Sequence, residues 1–121
     1  MVIGASGEWI MTDNTESIYI ELERLGSIYS EAKANRVYLT EFRKSKKSML
    51  MQAFMVDNAG ASAAKAEVYA YAHDEYLQVL KGLQSATEYE AATWHKIEVV
   101  KMRFEAWRSK RATERAEANL R

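Results

Sequence analysis

A chain without cysteine has no thiol nucleophile and no thiolate metal ligand, and the histidines that could hold a metal or move a proton are two, His73 and His95. His73 precedes Asp74, and His95 stands one helical turn before Glu98. A helical di-metal centre needs about four inward carboxylates and two histidines in Glu-x-x-His spacing. No Glu-x-x-His occurs, so both histidines read as polar surface or seam-flanking side chains. A glycine-rich phosphate loop, a nucleophile elbow and a Ser/His/Asp arrangement are absent too. Glu90 is the one acid on a helical row whose only other polar member is Thr93. A buried carboxylate with a raised pKa can serve as an acid or base, but a single polar residue in a helical core more commonly selects register or partner. Its expected cross-seam neighbours are Ile28 and Tyr29, whose hydroxyl would satisfy it. These residues predict a protein that is not an enzyme, with no catalytic residue, cofactor, bound metal or small-molecule substrate.

Two basic groups remain. Arg43, Lys44, Lys46 and Lys47 fall within about one and a half helical turns and could grip phosphates, although Glu67, Asp74 and Glu75 are expected opposite them and would neutralise part of the charge. Near the C-terminus, Arg103, Arg108, Lys110, Arg111, Arg115 and Arg121 interleave with Phe104 and Trp107. Aromatic and basic side chains together bind single strands by stacking and backbone attraction, yet Trp and Arg also dominate protein interfaces. Glu98, Glu105, Glu114 and Glu117 dilute the positive field. A protein contact through Phe104, Trp107, Arg108, Arg111 and Arg115 is the favoured expectation, and direct nucleic-acid binding is the alternative.

The elements that must carry these residues are helical. The chain has no proline, the residue that most strongly breaks helices. Asp13 and Glu16 have the spacing of a capping box. From there to Val56 the row Ile18, Leu22, Leu25, Ile28, Ala32, Leu39, Phe42, Met49, Ala53 and Val56 steps by threes, fours and sevens, so helix one is expected over 13–56. Asp57, Asn58 and Gly60 supply turn chemistry over 57–61, with Ser62 as the next cap. Helix two is expected over 62–118 with the seam Tyr69, Ala72, Tyr76, Val79, Leu83, Ala86, Glu90, Thr93, Ile97, Val100, Phe104 and Trp107. That period of 3.5 predicts a left-handed coiled coil. Gly82, with Ser85 and Glu88 forming a second capping box, marks where helix two would break if it is interrupted.

Two helices joined by a short turn near Ala59 give a long antiparallel hairpin, in which Met49 would meet Tyr69, Phe42 Tyr76, Ala32 Ala86, Leu25 Thr93 and Ile18 Val100. Small residues at Ala32 with Ala86, and at Gly26 near Ala92, would draw the axes together. Charge supports that orientation: residues 1–31 carry net −5, 32–56 net +5, 57–90 net −4 and 91–121 net +4. At 1.5 Å per residue helix one spans roughly 60 Å and helix two roughly 80 Å. Phe104 and Trp107 then lie on an overhang, to be covered by Trp9, Ile10 and Met11 or by a second protein. A lone hairpin buries little surface. A homodimer forming a four-helix bundle is therefore expected, using His73, Leu77, Leu80, Thr87, Ala91 and Trp94 of helix two and Tyr38, Leu50, Met51 and Phe54 of helix one; the alternative is that these side chains bury in a compact three-helix monomer.

With 121 residues, 48% hydrophobic and 28% charged, and equal numbers of acids and bases, the chain has room for a single helical domain and is not a uniformly basic nucleic-acid binder. No run of about 18 apolar residues is present, so no membrane span is expected. Residues 1–12, with Glu8 in the middle and no basic start, do not resemble a targeting signal, which predicts a cytoplasmic protein. The stretch Met102-Arg103-Phe104-Glu105-Ala106-Trp107-Arg108-Ser109, followed by Ala112-Thr113-Glu114-Arg115-Ala116-Glu117, resembles the C-terminal signature of small all-helical early-region proteins of tailed bacteriophages. The resemblance covers about twenty residues and carries no catalytic residues. It implies a phage-encoded accessory protein acting by protein contacts in DNA replication or recombination, in the host cytoplasm.

Overall fold

The computed structural model describes the backbone of Val2–Ile3 and Trp9–Ile10, and residues 15–120 with their side chains. The fold is all-α. The elements in order are β1 (Val2–Ile3), β2 (Trp9–Ile10), α1 (Glu16–Asp57), α2 (Ala63–Ala72) and α3 (Asp74–Asn119). Two compact units divide the chain: Met1–Tyr29 with Ala92–Arg121, and Ser30–Ala91.

In the first unit β1 and β2 pair antiparallel, Val2 with Ile10 and Ile3 with Trp9. The carbonyl of Thr15 accepts from the amides of Ile18 and Tyr19 and so opens α1; the expected cap at Asp13 lies outside the described residues. Ile18, Leu25, Ile97 and Val100 form a buried aliphatic cluster, against which Leu22, Tyr29 and Phe104 pack. A Cβ placed on Gly26 would meet no atom within 4 Å, so this glycine is not needed for close helix approach, contrary to expectation.

In the second unit α1 ends at Asp57, where the backbone and side-chain amides of Asn58 both donate to the carbonyl of Phe54 at 2.9 Å. Gly60 takes φ +84, a left-handed conformation that glycine adopts without steric cost. Ser62 then caps α2, its Oγ accepting from the Lys65 amide at 3.2 Å.

The second long helix is not continuous over 62–118. It breaks at His73 rather than at Gly82, which lies inside α3. His73 is extended (φ −70, ψ 138) and terminates both neighbours. Its amide donates to the Ala70 carbonyl, its own carbonyl accepts from the Leu77 amide, and its Nδ1 accepts from the Glu75 amide at 3.1 Å. That last bond is the N-cap role usually played by Ser, Thr, Asp or Asn, and Asp74 and Glu75 in the first turn of α3 suit the positive end of its dipole.

The extended residue resets the helical phase. Downstream, Tyr76, Val79, Leu83, Ala86 and Glu90 are buried or half-buried, as their spacing predicts. Upstream, the buried residues are Ala66 and Ala70, while Tyr69 and Ala72 are exposed. On α1 the row facing the rest of this unit is Ala32, Arg36, Leu39, Arg43, Lys46 and Leu50, all buried or half-buried. The expected Met49, Ala53 and Val56 are exposed. Arg43 and Lys46 hold seam positions because a long apolar stem can cover the core while its charge reaches water. Leu50, Ala70 and Tyr76 form the core with Met51 and Leu80 packed against them, and Phe54 stacks on Tyr69 at 4.7 Å. Leu50, Met51, Phe54 and Leu80 are thus used within the chain rather than left free for a partner. Phe54, not Met49, meets Tyr69, and Leu50, not Phe42, joins Tyr76.

Candidate functional site

The C-terminal part of α3 carries the favoured site residues. Phe104 and Trp107, one helical turn apart, stack with ring centroids 5.8 Å apart and planes at 30°. Arg108 lies over Phe104 at 5.8 Å and Arg111 over Trp107 at 5.9 Å. Arg108 also pairs with Glu105 at 3.3 Å, and the Nε of Arg115 donates to the Arg111 carbonyl. The helical repeat brings these residues together, since positions three and four apart share a face. Phe104 and Trp107 are half-buried, and Phe104 packs on the Ile18, Leu25, Ile97 and Val100 cluster instead of lying on a bare overhang as expected, whereas every described residue from Arg108 to Leu120 is exposed. Trp107 and Arg111 border two open depressions of about 520 and 480 Å³. The cover expected from Trp9, Ile10 and Met11 involves side chains outside the described residues.

Within the same unit Trp94, half exposed at 48%, tilts against Tyr29 at 5.3 Å and receives Lys101 at 5.9 Å. Tyr29, expected beside Glu90, packs its ring on Trp94.

The basic group on α1 is split by its partners. Lys46 reaches Glu75 at 3.0 Å and Lys47 reaches Glu67 at 3.7 Å, both across helices, while Lys44 pairs with Glu41 one turn away at 3.4 Å. Asp74 instead accepts from Gln78. Lys47 also donates to the Tyr71 hydroxyl at 2.7 Å; this bond, ahead of the charge of Glu67, holds its pKa above the ordinary 10.5. Glu75 is held below the ordinary carboxylate value by its hydrogen bond to Lys46. Arg43, Lys44 and Lys47 border an open cavity of about 350 Å³ with Glu67 and Tyr71.

Glu90 has a partner that the sequence pattern missed. Arg36 grips it with two of its guanidinium nitrogens, Nε donating to Oε2 at 2.6 Å and Nη2 to Oε1 at 3.2 Å. This hydrogen-bonded pair holds the carboxylate below its ordinary value of 4.5, with Lys33 adding to the effect. A carboxylate so held is a poor proton donor at neutral pH and a structural ion. The signal for Arg36 was present: the α1 row jumps seven residues from Ala32 to Leu39, and Arg36 fills the missing step.

Among the described residues no three His, Asp or Glu side chains gather in a metal-holding group, and no helix is long and apolar enough to cross a membrane. Compared with protein-family models, with curated proteins and with solved structures, the chain matches none.

Proposed function

We propose that this protein is a non-enzymatic adaptor that binds another protein through the end of α3, with Phe104, Trp107 and Arg108 as anchors and Arg111 and Arg115 around them. The supporting observation is the Phe104–Trp107 stack flanked by two guanidinium groups at the root of a helical segment exposed from Arg108 to Leu120. Arg and Trp are also the side chains whose truncation costs most at protein interfaces. Direct nucleic-acid binding is less well supported, because Arg108 and Arg111 cover the faces of Phe104 and Trp107, and those faces are where bases would stack. The resemblance of Met102–Ser109 to tailed-phage early proteins supports a role in phage DNA replication or recombination in the host cytoplasm.

Affinity capture from infected cells with the intact chain and with Trp107→Ala tests the reading. A protein that co-purifies with the intact chain and is lost with Trp107→Ala is expected. Capture unaffected by Trp107→Ala contradicts it. So does single-stranded DNA binding whose strength falls steeply with salt, the mark of phosphate neutralisation.

A further inference from the structure

The cavity of about 350 Å³ in the second unit takes Arg43, Lys44, Lys47 and Ser48 from α1, and Glu67 and Tyr71 from α2. Arg43 with Lys47, and Lys44 with Ser48, stand four residues apart, so the helical repeat brings all four to one wall. Three cations share the lining with one acid, an excess of two positive charges.

The fold satisfies the basic side chains of this stretch unequally. Lys46 is taken by Glu75 at 3.0 Å and does not line the cavity. Lys44 meets Glu41 at 3.4 Å with both side chains well exposed. Lys47 donates to the Tyr71 hydroxyl at 2.7 Å but stands 3.7 Å from Glu67. Arg43 is half-buried, and among the described residues no acid pairs with it. Its guanidinium has given up part of its hydration with no counter-charge in return, and a planar fork of donors matches two oxygens of one phosphoryl group. The excess of two charges favours a dianion over a single carboxylate. The volume lies at the lower end of the range for ligand pockets, about 300 to 1,000 Å³, which suits a small ligand. A nucleic-acid backbone needs a basic groove that tracks the strand instead.

We propose that this cavity binds the phosphate monoester group of a small molecule, with Arg43 as the bidentate anchor and Lys44, Lys47 and the Ser48 hydroxyl as further donors. Glu67 opposes the ligand, because its carboxylate competes for Lys47. The site lies in the second unit and does not rest on the reading of the α3 end.

Amide NMR of the intact chain, titrated with methyl phosphate at constant ionic strength, tests the proposal. Saturable shifts centred on residues 43–48, 67 and 71 are expected at millimolar probe. Binding should be tighter at pH 7.5 than at pH 5.5, because a phosphate monoester gains its second charge near about pH 6. Methyl sulfate, which carries one charge, should bind more weakly. Arg43→Ala is expected to weaken binding by about tenfold or more, and Arg43→Lys to recover only part of the loss, since the fork is gone. Glu67→Gln, at an exposed position, is expected to tighten binding by about two- to fivefold, the range of an exposed charge pair. That gain is a direction which loss of a merely structural contact would not give, and it carries the test if Arg43→Ala fails to fold. No saturable shift up to tens of millimolar, shifts spread over both units, methyl sulfate bound as tightly as methyl phosphate, binding unchanged in a folded Arg43→Ala, or binding weakened in Glu67→Gln would each overturn the proposal. A single-stranded oligonucleotide without terminal phosphates that shifts the same amides at lower concentration than methyl phosphate would overturn it in favour of a nucleic-acid backbone.

Discussion

In the first unit the helices meet through branched aliphatic side chains, Ile18, Leu25, Ile97 and Val100, and the ion pairs Arg24–Glu21, Lys101–Glu98 and Arg108–Glu105 join residues one turn apart on the same helix. In the second unit alanines at 32, 66, 70 and 86 are buried, as are Leu50 and Tyr76, and beside the same-helix pair Lys44–Glu41 the pairs Arg36–Glu90, Lys46–Glu75 and Lys47–Glu67 join different helices. Exposed pairs of the first kind contribute little. Pairs that bridge helices and sit partly out of water discriminate against a shifted register, because a slip strands a charge. The first unit is therefore held by apolar volume, the second by smallness and by matched charge.

The largest effects should separate the two units by what each tolerates. Leu25→Ala, at a residue 3% exposed, should destabilise by about 2–5 kcal/mol through lost burial and a cavity. Ala70→Leu, at a residue 0% exposed, should cost about 1–3 kcal/mol by overpacking. Urea unfolding of both variants checks the pair, and a neutral Ala70→Leu would mean that the second unit has room for bulk.

A pH titration sharpens the contrast further. Because folding lowers the Glu90 pKa below 4.5, the contribution of its pair with Arg36 is complete above that value. It is lost as the pH falls through the folded-state pKa. Thermal unfolding of Glu90→Gln should show a lower Tm than the intact chain at pH 7, with the gap narrowing below pH 4.5. A gap that is constant across this range would show that the charge of Glu90 is not what matters.

The all-helical character was legible because proline is absent and the α3 row from Tyr76 to Trp107 is built from apolar side chains, with Glu90 and Thr93 as the exceptions. The α1 row in the second unit was not, because Arg36, Arg43 and Lys46 occupy seam positions and a reading by hydrophobicity slides one face over, onto Phe42, Met49 and Val56. The break at His73 was hidden for a different reason. Histidine is not a usual N-cap, and the nearby Gly82 and Ser85 carry the stronger conventional signals, yet only His73 is followed by two acids in the first turn of a helix. Among the favoured site residues, Phe104, Trp107, Arg108 and Arg111 were legible as one face because their mutual spacing is local to one helix.

The smallest of these effects should come from the cap. His73→Ala removes the acceptor for the Glu75 amide and should cost about 1 kcal/mol, with His73→Asn recovering most of it. Equal losses for the two variants would assign the effect to packing of the ring against Tyr69 instead.

The pairing of Arg36 with Glu90 fixes which residues of α1 and α3 face each other in the second unit, and a charge-swap cycle measures it directly. Arg36→Glu and Glu90→Arg should each lower the Tm, and the double variant should recover most of the combined loss, because the swapped partners still meet. Losses that simply add in the double variant would mean that the two side chains do not touch and that the helices face each other in a different register.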